Sequence, residues 1–240
     1  MKRNKKPKDY RPLLGTENAK TTKGESLGYS TGILYLAPAN EAGIGNLCPM
    51  SSRGCRMACL FTAGMGKFDN VKNARIEKTL FWYHNREAFF CSLIYDIERH
   101  IASCRRTGQI PAIRLNGTSD IMWERQLFQG RTIFDMFPDI QFYDYTKIWT
   151  RFNSRLPPNY HLTFSRSEEN DAKVDWVVVN HPKVNVAVVF SGDLPKKYKG
   201  RKVINADEHD LRFLDKPGVI CGLKAKGAGK KDNSGFVVNQ

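Results

Sequence analysis

The chain of 240 residues lacks long apolar runs and has few histidines. No segment approaches the roughly 18 consecutive apolar residues that a membrane helix needs. The basic start MKRNKKPKDYRPLL is not followed by the apolar region of a secretion signal. We therefore expect a soluble, intracellular protein with no membrane association. The five histidines form neither an HxH nor an HExxH spacing, so nothing favours a metal-dependent nuclease or hydrolase.

The chain also lacks the common signatures of nucleotide and nucleic-acid binding. The basic run 224–231 does not have the Gly and Lys order of a phosphate-binding loop, and no C₂H₂ pair or RNP aromatic motif is present. Charge is the remaining signal. Of a net charge of +14, residues 1–23 carry eight Lys/Arg against two acids, and residues 216–240 carry five against one. Such basic ends favour contact with an anionic ligand, a nucleic acid or an acidic protein, although Lys-rich tails often only increase solubility.

Three cysteines, Cys48, Cys55 and Cys59, lie close together in the segment NLCPMSSRGCRMAC and are called the cysteine triplet below. They stand among Pro, Gly, Ser and Arg instead of apolar neighbours, and nothing indicates secretion, so metal ligation is favoured over disulfides. We expect the nearby Arg53 and Arg56 to favour the thiolate form. Three thiolates without an adjacent fourth ligand favour a [4Fe–4S] cluster that keeps one position open.

Two alternatives to the cluster remain open. Zinc would need a fourth ligand, for which His84 and Cys221 are candidates, and the triplet could also consist of free thiols. Cys91 and Cys104 lie in an apolar helical stripe, which favours ordinary burial for both.

The chain is predicted to form one domain with polar ends. Residues 1–28 are a polar lead-in too poor in apolar residues for a core element, and residues 224–240 are a flexible basic segment that could close over an anionic ligand. Residues 29–223 form the core. The core begins with the apolar run 32–38, typical of a strand buried on both faces, which a cysteine loop at 40–67 follows.

The pattern after this loop predicts an α/β fold. Apolar positions at intervals of three and four predict helices near 70–81 and 87–106. Six further apolar runs predict short strands at 112–115, 141–145, 161–165, 184–190, 202–205 and 218–222. Polar residues follow several of these strands, and the carboxyl ends of parallel strands meet at one mouth. Because the connections are short and no repeat is visible, we predict a partial or distorted β/α barrel.

Two resemblances add to this interpretation. A strand, a three-cysteine loop, a helix and a strand ending in a polar Gly-containing turn resemble the start of radical S-adenosylmethionine enzymes, although C-x6-C-x3-C differs from their usual C-x3-C-x2-C. The segments GTENAKTTKGESLGYSTGILYLAPAN, CPMSSRGCRMACLFTAGMGKF, RLNGTSDIMWE and GLKAKGAGKKDNSGFVV resemble the bacteriophage gene product 88 domain family over nearly the whole chain. The second resemblance implies a phage protein that acts in the host bacterial cytoplasm.

The radical-enzyme resemblance implies a set of cofactor contacts. The cysteine triplet would bind three irons, and S-adenosylmethionine would bind the fourth. The turn NGTSD would receive the methionine amino group, although it could also be only a turn that caps a helix. Polar residues after later strands would contact the ribose or the carboxylate. The candidate cofactor-binding residues are Asn116, Gly117, Thr118, Ser119, Asp120, Lys147, Ser165, Arg166 and Glu168.

Two functions follow from these observations. The first is a phage iron–sulfur protein with radical S-adenosylmethionine-like chemistry on an unknown substrate, such as a nucleotide or nucleic acid. The second is a non-enzymatic iron–sulfur or zinc protein that binds nucleic acid or an acidic host protein through its basic ends.

Overall fold

A nine-stranded sheet forms the centre of the computed structural model, which describes residues 5–16, 23–59 and 64–239. The strands are β1 (Leu14–Gly15), β2 (Tyr29–Leu34), β3 (Ile110–Arg114), β4 (Gln141–Thr146), β5 (Tyr160–Ser165), β6 (Val186–Phe190), β7 (Lys197–Tyr198), β8 (Arg201–Asn205) and β9 (Ile220–Lys224). Their spatial order is β1-β2-β3-β4-β5-β6-β9-β8-β7. All pairings from β2 to β8 are parallel, and the two short edge strands pair antiparallel.

The sequence predicted this architecture in outline. Each of the seven predicted strands overlaps an observed one, so the single-domain α/β fold is confirmed. Barrel closure is not observed: among the described residues β1 and β7 lie at opposite edges of the sheet and do not pair. The first predicted strand, 32–38, is displaced, because β2 ends at Leu34. After Leu34 the backbone forms hydrogen bonds with side chains instead of with a neighbouring strand. For example, Ala37 N donates to Thr79 Oγ1.

The helices are α1 (Arg53–Met57), α2 (Asp69–His84), α3 (Arg86–Thr107), α4 (Ile133–Met136) and α5 (Asp171–Asn180). Side chains of α2 to α5 are buried in the two large apolar clusters of the sheet, whereas Cys55 of α1 packs with Val189 in a separate cluster. The longest, α3, begins where Asn85 Oδ1 accepts from Ala88 N and ends at Gly108, whose φ of 70° suits glycine. Its apolar stripe packs with α2 against Ile113 and Phe142 of the sheet. This is the main hydrophobic core. None of the helices in the described part of the chain is long and apolar enough to cross a bilayer.

The other face of the sheet is more polar and is covered by residues 206–215, here called the plug segment. Leu211 of this segment is buried against Ala112 and Tyr143. Asp210 forms a 2.7 Å ion pair with Arg114 at the end of β3. The plug segment therefore closes this face beside the carboxyl ends of the strands.

The polar lead-in contributes to the core, which differs from the prediction. Leu13 is fully buried, and β1 pairs with β2. The reason is Asp96 of α3, whose carboxylate accepts from Tyr10 Oη at 2.6 Å and from Leu13 N at 2.7 Å. These bonds satisfy backbone and hydroxyl groups that the local sequence could not satisfy alone.

The basic C-terminal segment is also packed, whereas the sequence predicted a flexible one. Lys224 ends β9, and Phe236 and Val237 are buried. Arg166 Nη1 donates to the backbone oxygens of Gly235 and Phe236, at 2.5 and 2.9 Å. A guanidinium that binds two carbonyl groups fixes the segment beside the ends of the strands.

Candidate functional site

A cavity of about 360 Å³ lies at the carboxyl ends of the parallel strands. The structure brings most of the sequence-predicted site residues together around it. The predicted residues that line the cavity are Cys48, Cys55, Cys59, Asn116, Gly117, Thr118, Ser119, Asp120, Lys147 and Ser165. The loop after β2 thus meets the turns after β3, β4 and β5 because the strands are parallel and neighbours.

Four other candidates are not among the described residues that line the cavity. Arg166 is bonded to the C-terminal segment, and Glu168 to the cysteine loop. The two candidate fourth ligands also lie elsewhere: His84 is exposed at the end of α2, and Cys221 is buried with its thiol 3.6 Å from Asp215 Oδ2.

The short helix α1 positions Cys55. Ser52 caps it by accepting from Cys55 N, and Glu168 accepts from Ser52 Oγ and Gly54 N, both at 2.7 Å. A carboxylate at the start of a helix is favoured by the free backbone N–H groups there. Glu168, predicted as a cofactor contact, instead anchors the cysteine loop.

Cys48 belongs to the same wall as the turn after β3. Its thiol lies 3.6 Å from the backbone oxygen of Thr118. Burial is the main reason that the pKa of the Cys48 thiol is raised to about 12, and the nearby Asp120, Cys59 and Cys55 act in the same direction. The expectation that neighbouring arginines favour its thiolate is therefore wrong for Cys48. A metal that binds this sulfur must displace its proton.

The turn after β3 is held mainly by its own side chains. Asn116 Oδ1 accepts from Ser119 Oγ and Ile121 N, both at 2.9 Å, and Thr118 Oγ1 donates to Leu36 O at 2.5 Å. Gly117 is required for packing, since a Cβ there would lie 2.8 Å from Leu34 O. The Asn116 side chain is thus used inside the protein, but both hydroxyl oxygens can still accept a hydrogen bond from a ligand.

Asp120 joins this turn to the next one. Its Oδ2 accepts from Lys147 N at 2.8 Å, and its Oδ1 pairs with Arg151 at 3.1 Å. Arg151 is fully buried and also binds Glu124, at 2.7 Å. Burial raises the pKa of Asp120, an effect that Arg151 opposes. The Arg151 guanidinium therefore supports, from behind the cavity wall, the carboxylate that lines it.

Asp144 supports the same turn from deeper in the sheet. It is fully buried and accepts from Asn116 N at 2.7 Å and from Tyr160 Oη at 2.9 Å. Burial raises the pKa of Asp144 from 3.8 to about 7, although Arg114 and these hydrogen bonds act in the opposite direction. The folded protein thus keeps a proton on Asp144 under mildly acidic conditions.

We expect this proton to make stability depend on pH. The stabilisation from Asp144 is complete below its ordinary pKa of 3.8 and is lost as the pH rises through about 7, because the unfolded chain releases the proton earlier. Through this group the free energy of unfolding changes by at most about 1.4 kcal/mol per pH unit. Urea unfolding of the wild type and of Asp144→Asn, a neutral isostere, measures it. Parallel stability curves for the two proteins between pH 4 and 7 would contradict the expectation.

Sequence reasoning did not name several other residues that line the cavity: Lys23 of the lead-in, Arg114 and Tyr145 near the ends of β3 and β4, Asp207, His209 and Asp210 of the plug segment, and Phe236 of the C-terminal segment. Lys224 and Lys226, which also line it, belong to the basic segment that was predicted to close over an anionic ligand. Arg114 offered one signal, since a charged residue at the end of an otherwise apolar run is unusual in a buried strand. Asp207, His209 and Asp210 lie in the irregular part of the plug segment, whose course has no local pattern.

The donor set of the cavity is rich in sulfur. Within residues 5–16, 23–59 and 64–239, no group of three His, Cys, Asp or Glu side chains is already placed to hold a metal ion. The cysteine triplet nevertheless lies along one cavity, and thiolates are the ligands that iron–sulfur clusters use. Cluster binding would require the three sulfurs to converge from these positions.

Comparison with known protein families gives a match over most of the chain. Neither a curated protein nor a solved structure matches the chain significantly. The model of the phage family Gene product 88 matches residues 12–240, which include every strand of the sheet and all the described residues of the cavity wall. The chain therefore belongs to the Gene product 88 family.

Proposed function

We propose that this phage protein is an iron–sulfur protein of the host cytoplasm that holds a [4Fe–4S] cluster on the cysteine triplet and binds S-adenosylmethionine beside it. One observation carries the proposal. Three thiols that follow one parallel strand share a cavity with the polar turns that follow the next three strands. The substrate is then a molecule that enters the same cavity.

The sheet supports this proposal through its order. Strands β2 to β6 are consecutive and parallel, as in a partial β/α barrel. In this arrangement the cysteine loop and the turn NGTSD come from adjacent strands, which is the relation that radical S-adenosylmethionine enzymes use. The barrel-like interpretation is part of the proposal.

The donor set fits a cluster with one open position. Neither His84 nor Cys221, the fourth ligands considered from the sequence, is among the described lining residues, which supports an exogenous ligand for the fourth iron. When bound, a reduced cluster supplies the electron that cleaves S-adenosylmethionine. The chain would hold the sulfurs, orient the cofactor and exclude water.

Individual residues suit these tasks. The hydroxyl oxygens of Thr118 and Ser119 and the carboxylate of Asp120 are acceptors for an ammonium group. Lys147 Nζ donates to Ser165 Oγ at 2.9 Å, and the pair can bind a carboxylate or a ribose hydroxyl. Phe236 of the C-terminal segment lies 5.6 Å from Lys147 Nζ and shields this side of the cavity.

Anaerobic purification with iron, sulfide and zinc analysis tests the cluster. We expect brown protein with about four irons per chain, and a several-fold loss of iron in Cys48→Ser, Cys55→Ser and Cys59→Ser. Cys91→Ser is the matched control, because Cys91 lies on α3 and is not among the lining residues. Colourless protein that contains zinc would refute the cluster and favour a non-enzymatic metal protein.

Cofactor binding has a separate test. S-adenosylmethionine should change the spectrum of the reconstituted cluster and should be cleaved under reducing conditions. If neither occurs while iron and sulfide remain bound, the cluster is structural or only redox-active.

A further inference from the structure

The charges that line the cavity are not balanced. Among the described lining residues are five cations, Lys23, Arg114, Lys147, Lys224 and Lys226, and three carboxylates, Asp120, Asp207 and Asp210. Each carboxylate already has a cationic partner. Asp210 pairs with Arg114, Asp207 pairs with Lys226 at 2.5 Å, and Asp120 pairs with Arg151 from behind the wall. The lining thus has a net positive charge that favours an anionic occupant.

Arg114 is the most firmly held of these cations. Its side chain is 6% exposed, its Nη1 donates to Asp210, and its guanidinium lies 4.8 Å from the centre of the Tyr145 ring. Its Nε has no hydrogen-bond partner among the described residues. Buried donors are rarely left without an acceptor, and a fixed guanidinium fork matches the oxygens of a phosphate or carboxylate. A bound anion would supply the missing acceptor.

Two exposed lysines also line the cavity. Lys224 ends β9 and Lys226 follows it, and their side chains are 52% and 61% exposed. Both line the cavity with Arg114. Both ammonium groups form ion pairs, Lys224 with Asp193 at 3.0 Å and Lys226 with Asp207 at 2.5 Å. Ion pairs of exposed lysines are weak and can exchange for a ligand, whereas the buried Arg114 is fixed in advance.

We propose that this part of the cavity binds the phosphate or carboxylate group of a small organic anion, with Arg114 as the fixed contact and Lys224 and Lys226 as the mobile ones. The volume of about 360 Å³ suits one small molecule. The identification of this anion as the substrate rests on the proposed function. The prediction that the site binds anions does not depend on it.

Calorimetric titration of the full-length purified protein tests the site. The probes are inorganic phosphate, inorganic pyrophosphate and acetate at constant ionic strength. We expect phosphate or acetate to bind with a Kd of about 1 mM or tighter, and the stronger of the two identifies the anionic group. Lys224→Gln and Lys226→Gln should each weaken binding, and Arg114→Lys, which keeps the charge beside Asp210 but loses the fork, should weaken it roughly tenfold or more.

The matched controls are Lys230→Gln and Lys231→Gln, which make the same charge change in the same segment but are not lining residues. Equal weakening in the controls would indicate general electrostatics and overturn the proposal, as would the absence of binding for all three probes. If Arg114→Lys does not fold, the binding measured for Lys224→Gln and Lys226→Gln decides the outcome. Because iron and sulfide analysis is a separate measurement, failure here is distinguishable from failure of the cluster.

Discussion

Replacement of Arg151 by methionine is expected to lower the free energy of unfolding by about 3–5 kcal/mol, because removing one partner of a buried ion pair leaves the other charge uncompensated. Arg151 is fully buried, and its side chain binds Asp120, Glu124 and Tyr160. Methionine replaces the apolar stem of the arginine but not its guanidinium, so most of the loss should come from the two stranded carboxylates. Urea unfolding monitored by circular dichroism measures the change.

Arg155→Met is the matched control, because Arg155 is exposed and only four positions further along the chain. We expect it to change stability by less than about 0.5 kcal/mol. Adding Asp120→Asn and Glu124→Gln to Arg151→Met should restore part of the loss, because the three groups act as one network. An equal effect of the two methionine substitutions would show that the buried ion pairs do not stabilise the site.

Replacement of Gly54 by alanine is expected to displace the helix that carries Cys55. A Cβ on Gly54 would lie 2.6 Å from Phe236 Cβ and 2.8 Å from Glu168 Oε1, so either the C-terminal segment or α1 must move. Such overpacking costs about 1–3 kcal/mol, which exceeds the gain in helix propensity of at most about 1 kcal/mol. We expect lower stability by urea unfolding and a several-fold lower iron content after reconstitution.

Gly192→Ala provides the comparison for this substitution. A Cβ at Gly192 would meet nothing within 4 Å, so we expect stability and iron content close to those of the wild type. If Gly54→Ala matched Gly192→Ala in both measurements, the close contact between α1 and the C-terminal segment would not control the position of Cys55. If Gly54→Ala lowered the stability but left the iron content unchanged, the close contact at Gly54 would affect packing and not the placement of Cys55.

Much of the sheet was predictable because its strands are locally encoded. Runs such as 184–190 and 218–222 are apolar, of strand length and bounded by turn residues, which is the pattern of a strand buried on both faces. The predicted convergence of polar turns followed from the same reasoning, since neighbouring parallel strands present their carboxyl ends together. The roles of the cysteine triplet remain predictions.

The edge strands of the sheet and the segments that cover the cavity were not predictable in this way. Leu14–Gly15 pairs with β2, and Asp96, more than eighty residues away in the chain, accepts hydrogen bonds from the backbone N–H groups of Leu13 and Leu14. The C-terminal segment is ordered by Arg166 and by a bridge between Phe190 and Val238. These interactions satisfy polar groups and bury side chains that have no partner in their own segment.

The sequence by itself determined the seven central strands, the two long helices and the identity of the thiols, since these depend on local patterns and residue types. Only the tertiary structure decided which charges meet. Arg114 and Asp210 are 96 positions apart, and Glu168 lies 114 positions from Gly54, yet both pairs are in contact. Such long-range pairs form only when the chain folds, and no periodic pattern in the local sequence predicts them. For this reason the meeting of the thiols with the polar turns was predictable, whereas the pairing of Arg114 with Asp210 on the same cavity was not.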